Sequence, residues 1–253
     1  MMKLQLLRNA TQILKINNKT ILIDPMLAPK ETYEAFQQTN NSLRNPLVDL
    51  PVNRDELALL IAQTDAVLLT HLHLDHWDTT AQQLLPKEIT LFCQEVDAER
   101  IRENGFTNVQ PIADELSWNN IRFSRTDGQH GVGETGKRMG IVSGFVIKHE
   151  QESVYIAGDT IWCEEVEMAL DKYKPERIVL NGGAARFVMG EPIVMTIDDV
   201  LKVCSYAPEA MVYVVHLEAV NHGTESREEI RQAIEKYDLT LRCVVPDDGE
   251  YLF

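Results

Sequence analysis

The sequence predicts an α/β layered sandwich, sheets with helices packed outside them, on three observations. Short alternating strands open the chain, strand–helix alternation follows, and several apolar runs stop abruptly at a histidine or an aspartate. With 253 residues, 44% of them hydrophobic and 25% charged, the chain can bury a sizeable core. No internal repeat or low-complexity tract divides it, so residues 1–253 are expected to form one domain.

The opening "KLQLLRN", "TQILKINN" and "KTILIDP" alternate with period two between Asn-rich turns, and Pro25 closes the third, so they predict an antiparallel start. From Ala28 to Arg54, Pro29, Pro46, Pro51 and the polar "QQTNNS" interrupt any period, which predicts a long loop with short helical pieces. "DELALLIAQ" reads as a helix and "DAVLLT" as a buried strand, after which the Asp78 carboxylate can cap a helix at "TTAQQLL". Further strands are expected at "ITLFC", "IRFSRT", "GIVSGFVIKH", "SVYIAG", "RIVLNG", "AMVYVVH" and "LRCVVP". Helices are expected at "VDAERIREN", "WCEEVEMALDKY", "TIDDVLKVCSYA" and "SREEIRQAIEKY".

A formal charge of −15 with no Lys/Arg stripe argues against nucleic acid and for a small-molecule substrate. The N-terminus lacks a signal peptide's continuous apolar stretch and cleavage site, and nowhere do about twenty apolar residues run together. The expectation is a cytoplasmic protein without stable membrane association; oligomeric state is not legible. Cys93, Cys163, Cys204 and Cys243 form no C-x-x-C pair, so reduced, mostly buried thiols are expected.

The chemistry concentrates in "LLTHLHLDHWD", Leu68 to Asp78. In extended geometry His71, His73 and Asp75 point to one face, and His76 follows where the chain turns. With 7 histidines in 253 residues, the spacing H-x-H-x-x-H arises by chance in ~0.5% of chains, against which a lone histidine would read as an ordinary satisfied side chain. Imidazole and carboxylate ligands suit zinc, manganese or iron better than calcium. Three more apolar runs end at His130, Asp159 and His216, and strand ends converge on one sheet edge, where α/β proteins commonly build sites.

"HLHLDH" with His130, "GDT" from Gly158 to Thr160 and His216 resembles the metallo-β-lactamase superfamily over nearly the whole chain. "NGGAARFVMGEPIVMT" is similar, more loosely, to the branch of metal-dependent hydrolases that includes ascorbate-6-phosphate lactonases and N-acyl-phosphatidylethanolamine phospholipases. The resemblance implies a four-layer αββα sandwich and two divalent metal ions, zinc as first choice with manganese or iron as alternatives. It assigns His71, His73 and His130 to one ion, Asp75, His76 and His216 to the other, and Asp159 to both. A bridging hydroxide would then attack a small-molecule ester, lactone or phosphoester, with Asp75 or His222 protonating the leaving group. Asp159 has an alternative as a turn residue capping the next helix, and His222 competes with His216 for the last ligand place, His216 being preferred because it ends a strand.

Arg125, Lys137, Arg138 and Arg186 could meet an anionic substrate, although solvated surface charges are the ordinary reading. "GVGETGKR", Gly131 to Arg138, mimics a phosphate loop but has Arg138 in the Ser/Thr place, and is read as a flexible loop beside His130. Trp77 and Trp162, less so Trp118, could line an apolar pocket or pack in the core, and the Ala28–Arg54 loop is the other candidate substrate wall. Two rival functions are weighed: a mononuclear iron dioxygenase-type oxidoreductase, since related folds host redox iron, and a metal-bearing sensor that binds without turnover. A flavodiiron version would need an acidic residue where His73 stands, and seven retained ligands argue against a sensor.

Overall fold

A computed structural model describes residues 1–253. Its first sheet runs in chain order through β1 (Lys3–Arg8), β2 (Thr11–Ile16), β3 (Lys19–Ile23), β4 (Ala66–Leu68), β5 (Thr90–Gln94) and β6 (Val109–Ile112). The first two pairings are antiparallel, as the Asn-punctuated opening predicts, and Asn9, Asn17 and Asn18 take the left-handed turn conformations that asparagine tolerates. The later pairings are parallel and need crossovers, supplied by α1 (Arg54–Gln63), α2 (Thr79–Leu84) and α3 (Ala98–Glu103). Asp78 caps α2 as expected, its carboxylate accepting from Ala81 N at 2.6 Å.

The second sheet also follows chain order: β7 (Glu115–Trp118), β8 (Ile121–Asp127), β9 (Ser143–His149), β10 (Glu152–Ile156), β11 (Arg177–Asn181), β12 (Met211–Val215) and β13 (Cys243–Val244). It is antiparallel as far as β10 and parallel beyond. Around it lie α4 (Gly133–Met139), α5 (Glu164–Tyr173), α6 (Ile197–Tyr206) and α7 (Arg227–Lys236).

Strand alternation builds the layers. Ile21 and Ile23 face Phe123, Phe145 and Ile156 in a core between the sheets, while Leu22 points outward to join Val67, Leu91, Ala81 and Ile101 under the first helical layer. On the far side Tyr155, Ile178 and Val212 pack against Val166, Val200 and Ile230 of α5, α6 and α7. The architecture is the expected αββα sandwich. No helix is long and apolar enough to cross a membrane, and all four cysteines are free and buried.

Four local expectations are corrected. Strands β6 and β7 were not foreseen, because Pro111 and the polar "ELSW" blur their alternation; Pro111 is accommodated because β6 is an edge strand. "LRCVVP" contributes only a two-residue β13. The segment read as a flexible loop contains α4, whose glycines disguised it, and Lys137 there is spent on an ion pair with Glu134. Ala28 to Asn53 forms no helical pieces; a bridge between Tyr33 and Asn45 closes it into a broad loop.

The base of that loop is held by Arg8, whose fully buried guanidinium donates to the carbonyls of Val48 (2.8 Å), Met26 (2.8 Å) and Ala28 (2.9 Å). No carboxylate pairs with it directly, and burial pushes its pKa down to about 10. Arg8→Met should therefore cost about 3 kcal/mol in urea unfolding, the scale of lost bonds from a charged donor, and should expose residues 30–45 to limited proteolysis. A wild-type urea midpoint and digestion pattern would show that these bonds do not hold the loop.

Candidate metal centre

β3, β4, β8, β10 and β12 all deliver their C-terminal ends to one edge of the sandwich, because the first two run parallel and β8 and β10 share a direction through the intervening β9. Asp24 directly follows β3, His71 to His76 follow β4, His130 follows β8, Asp159 follows β10 and His216 follows β12. Two sets of ligand atoms gather there, each within 4.8 Å of one another: His71, His73 and His130, and Asp75, His76, Asp159 and His216. Of the two histidines that compete in the sequence, His216 lies in the second set and His222 in neither.

The surrounding hydrogen bonds fix which nitrogens face inward. His130 Nδ1 donates to the Ile193 carbonyl at 2.7 Å, leaving Nε2 as a bare lone pair. Thr70 Oγ1 gives its proton to Asp24 at 2.7 Å and so accepts from His71 Nδ1 at 3.0 Å, which leaves His71 Nε2 bare as well. Both bare atoms point at His73 Nδ1, at 2.9 and 3.2 Å. Three imidazole nitrogens converging in this way fit a cation, since a single ring proton could serve only one of them well.

In the second set, His76 Nδ1 donates to Asp24 at 2.9 Å, while its Nε2 is buried without a hydrogen bond 3.2 Å from Asp159 Oδ1. His216 Nε2 lies 3.1 Å from Asp75 Oδ2. Asp159 faces both sets, Oδ2 standing 3.5 Å from His130 Nε2 and Oδ1 3.8 Å from His216 Nε2, and Asn181 donates to Oδ1 at 2.7 Å. An orphaned nitrogen beside buried carboxylates is again a donor set suited to a metal ion, here of mixed nitrogen and oxygen character.

Protonation divides along the same line. Burial drives His71 well below its ordinary pKa, lowers His130, and takes His73 to about 4, so all three are neutral at pH 7. Burial also opposes charge on His76 and His216, but Asp159, Asp75 and, for His76, Asp24 outweigh it and raise both. Burial likewise opposes ionisation of Asp75 and Asp159, yet the imidazoles hold both carboxyls well below the usual range.

A cavity of about 330 Å³ opens over the cluster. His73, Asp75, His130 and Asp159 form its floor, Leu74, Met139 and Phe187 supply apolar wall, and Phe36 to Gln38 bring in the long loop, as expected. His222 lines it too, its edge against Phe36 at a ring distance of 4.9 Å, its Nδ1 unpartnered and its pKa taken to about 4 by burial. None of the tryptophans reaches it: Trp77 packs on Phe106, Trp118 on Phe92 and Trp162 on Tyr206. Of the four cations considered, only Arg138 lines the cavity, stacked 4.7 Å from the Phe187 ring; Arg125 pairs with Asp127 and Lys137 with Glu134, while Arg186 donates to the Ala184 carbonyl.

Sequence reasoning missed Asp24, although "ILIDP" carries the same signal of an apolar strand ending in a ligand-type residue. It also missed Asn9, which donates to the Asp75 carbonyl at 3.0 Å, and Asn181. Asparagines beyond strand ends look like ordinary turn residues.

Residues 19–217 match the beta-lactamase superfamily domain. Over 98% of both chains, the sequence is 42% identical to the UPF0173 protein YddR of Bacillus subtilis. A structure from Veillonella parvula described as a possible metal-dependent hydrolase superposes with a TM-score of 0.95 at 37% identity, covering 100% of this chain and 99% of that one. An isothiocyanate hydrolase from Delia radicum gut bacteria gives 0.93 at 38% identity, over 99% and 98%. With the strand-end cluster and its cavity, these matches establish that the chain belongs to the beta-lactamase superfamily, within the UPF0173 family of metal-dependent hydrolases.

Proposed function

We propose that the protein is a dinuclear metal-dependent hydrolase acting on a small, neutral electrophile, with isothiocyanates as the substrate class. The observation that carries this reading is the cavity: apolar walls above a floor of metal-type ligands, and one cation, Arg138, among all its lining residues. Beyond the bound ions only Arg138 is at hand to meet a phosphoester's charge, and Phe36, Leu74, Met139 and Phe187 offer apolar surface, which favours a substrate without a permanent charge. The relative at 38% identity is an isothiocyanate hydrolase, which supports the same class for this chain.

The two ligand sets would hold the ions, whose chemistry would be to lower the pKa of a bound water and to polarise the electrophile. The chemistry required is modest: water oxygen bonds the central carbon of R–N=C=S and one of its protons ends on nitrogen, and the thiocarbamic acid then passes the second proton to nitrogen as its C–N bond breaks, releasing an amine and carbonyl sulfide. Asp75 stays ionised and serves as ligand and acceptor, which leaves proton movement toward nitrogen to His222. Its imidazole is neutral at pH 7 and faces the cavity, so it relays a proton through a hydrogen bond rather than storing one.

Zinc- or manganese-loaded protein should convert phenethyl isothiocyanate to phenethylamine, and Asp159→Ala, folded by circular dichroism, should lose on the order of 100-fold or more in kcat/KM. Failure of the loaded wild type to release amine, with hydrolysis of a lactone or phosphodiester in its place, would overturn the substrate class. Asp24→Asn, which weakens the support of His76 and His71, should reduce metal affinity by roughly 10–100-fold.

The pKa directions also predict metal binding. The carboxylates beside His76 and His216 favour their protonated forms in the metal-free protein, so affinity at their set should rise with pH, accompanied by proton release in calorimetric titrations. The His71, His73 and His130 set is already neutral at pH 7, so its affinity should depend less on pH there. Two binding steps with the same pH slope would contradict the assignment.

A further inference from the structure

The loop from Tyr33 to Asn45 is mostly exposed, yet it is tied down by one buried side chain, Asn221, the residue directly before His222. Asn221 Oδ1 accepts from Phe36 N and from Asn45 Nδ2, both at 2.9 Å. Its Nδ2 donates to Thr39 Oγ1 at 2.7 Å and to the carbonyls of Phe36 and Asn41 at 3.2 and 3.3 Å. Its backbone joins in, the N–H donating to Asn45 Oδ1 at 2.9 Å and the carbonyl accepting from Asn41 Nδ2 at 3.0 Å. The full hydrogen-bonding capacity of one amide is thus committed to the loop.

From this anchor the loop crosses to the opposite rim, where Val188 N–H donates to the Gln38 carbonyl at 2.7 Å. At the Asn221 tie it presents Phe36 to the cavity, edge-on to His222. The cavity, about 330 Å³, lies at the small end of ligand sites. We propose that the loop is a strap that sets substrate size, with Phe36 the specificity-determining residue and Asn221 its positioning residue.

This rests on the reading of the cavity as the substrate site, but not on isothiocyanates being the substrate. Removing the Phe36 ring should admit longer or wider molecules, whereas releasing Asn221 should let the whole strap move. A residue on the strap that faces solvent, such as Leu43, should affect neither.

Two measurements test it. Amide exchange by mass spectrometry on the purified protein should show faster exchange for residues 36–45 and 188 in Asn221→Ala, with β12 unchanged; Asn221→Asp, which keeps the acceptor oxygen, should be intermediate and guards against failure to fold. Wild-type protection of residues 36–45 in both variants would overturn the anchoring role. In cobalt-substituted protein, alkyl and aryl thiols of graded size should shift the visible spectrum on binding, and Phe36→Ala should tighten the largest relative to the smallest by about 10-fold, with Leu43→Ala keeping the wild-type ratio. An unchanged ratio in Phe36→Ala, or no thiol response in any variant, would overturn the size-setting role. A changed ratio without isothiocyanate turnover would sink the proposed substrate and leave the strap standing.

Discussion

Asp75 and Asp159 are buried within a few ångströms of one another, and every basic group within 4.0 Å of either is an imidazole. Burying two carboxylates together costs several kcal/mol per ion unless compensation is close and well oriented. Asp24 adds a third carboxylate behind His76. The sandwich meets this constraint by placing five imidazoles around them, the protonated form being favoured in His76 and His216, and by leaving lone pairs of the other three turned inward. A lysine or arginine would neutralise the carboxylates permanently; histidines yield the same ground to a metal ion, because they compensate charge when protonated and coordinate when neutral.

The backbone bears part of this burden. His216 lies in the left-handed region, φ 67°, so that the chain leaves β12 and immediately turns its ring into the cluster. Such a conformation in a residue with a Cβ costs on the order of 1 kcal/mol or more and persists where neighbours over-determine it. Here the His216 N–H donates to the Asn9 carbonyl at 3.0 Å, and Asn9, itself left-handed, donates its side chain to the Asp75 carbonyl. Gly158, at φ 68°, precedes Asp159, and a Cβ there would stand 2.7 Å from the Ser143 carbonyl. Two ligands on different strands are therefore aimed by turns that few residues tolerate, and Asn9 links one of them to the β4 loop.

This division explains what the sequence discloses. The β4 cluster was legible from its density of ligand-type residues, but the expected single extended face is not formed: the strand ends at Leu68 and the chain turns, His76 N–H donating to the His73 carbonyl, so His71 and His73 join one set and Asp75 and His76 the other. His130, Asp159 and His216 were legible as candidates because each ends an apolar run. Asp24 obeys the same rule, but beside Pro25 it reads as a turn. The layers were legible from alternation in β1 to β3 and from amphipathic α5, α6 and α7. Of the cavity walls, the long loop that carries Phe36 was a candidate in the sequence, but Met139 and Phe187 were not, because they come from a glycine-bearing helix and another loop, where no period marks the inward face. The same blindness made the tryptophans attractive: a large aromatic beside a ligand in sequence has no obligation to face it, and Trp77 turns away into the outer core with Phe106.

Walls and floor therefore answer to different forces. Apolar walls stabilise an apolar group placed against them by roughly 25 cal/mol per Å² of surface removed from water, whatever the charge elsewhere on the molecule. They raise occupancy without lowering the barrier. The floor, being ionic, interacts weakly with a neutral ground state and strongly as charge develops on the attacked group, so its contribution is confined to the transition state. The floor is held by residues at strand ends and the walls by loop and helix residues, so replacing Phe36, Met139 or Phe187 reshapes the cavity while leaving the strand-end cluster in place.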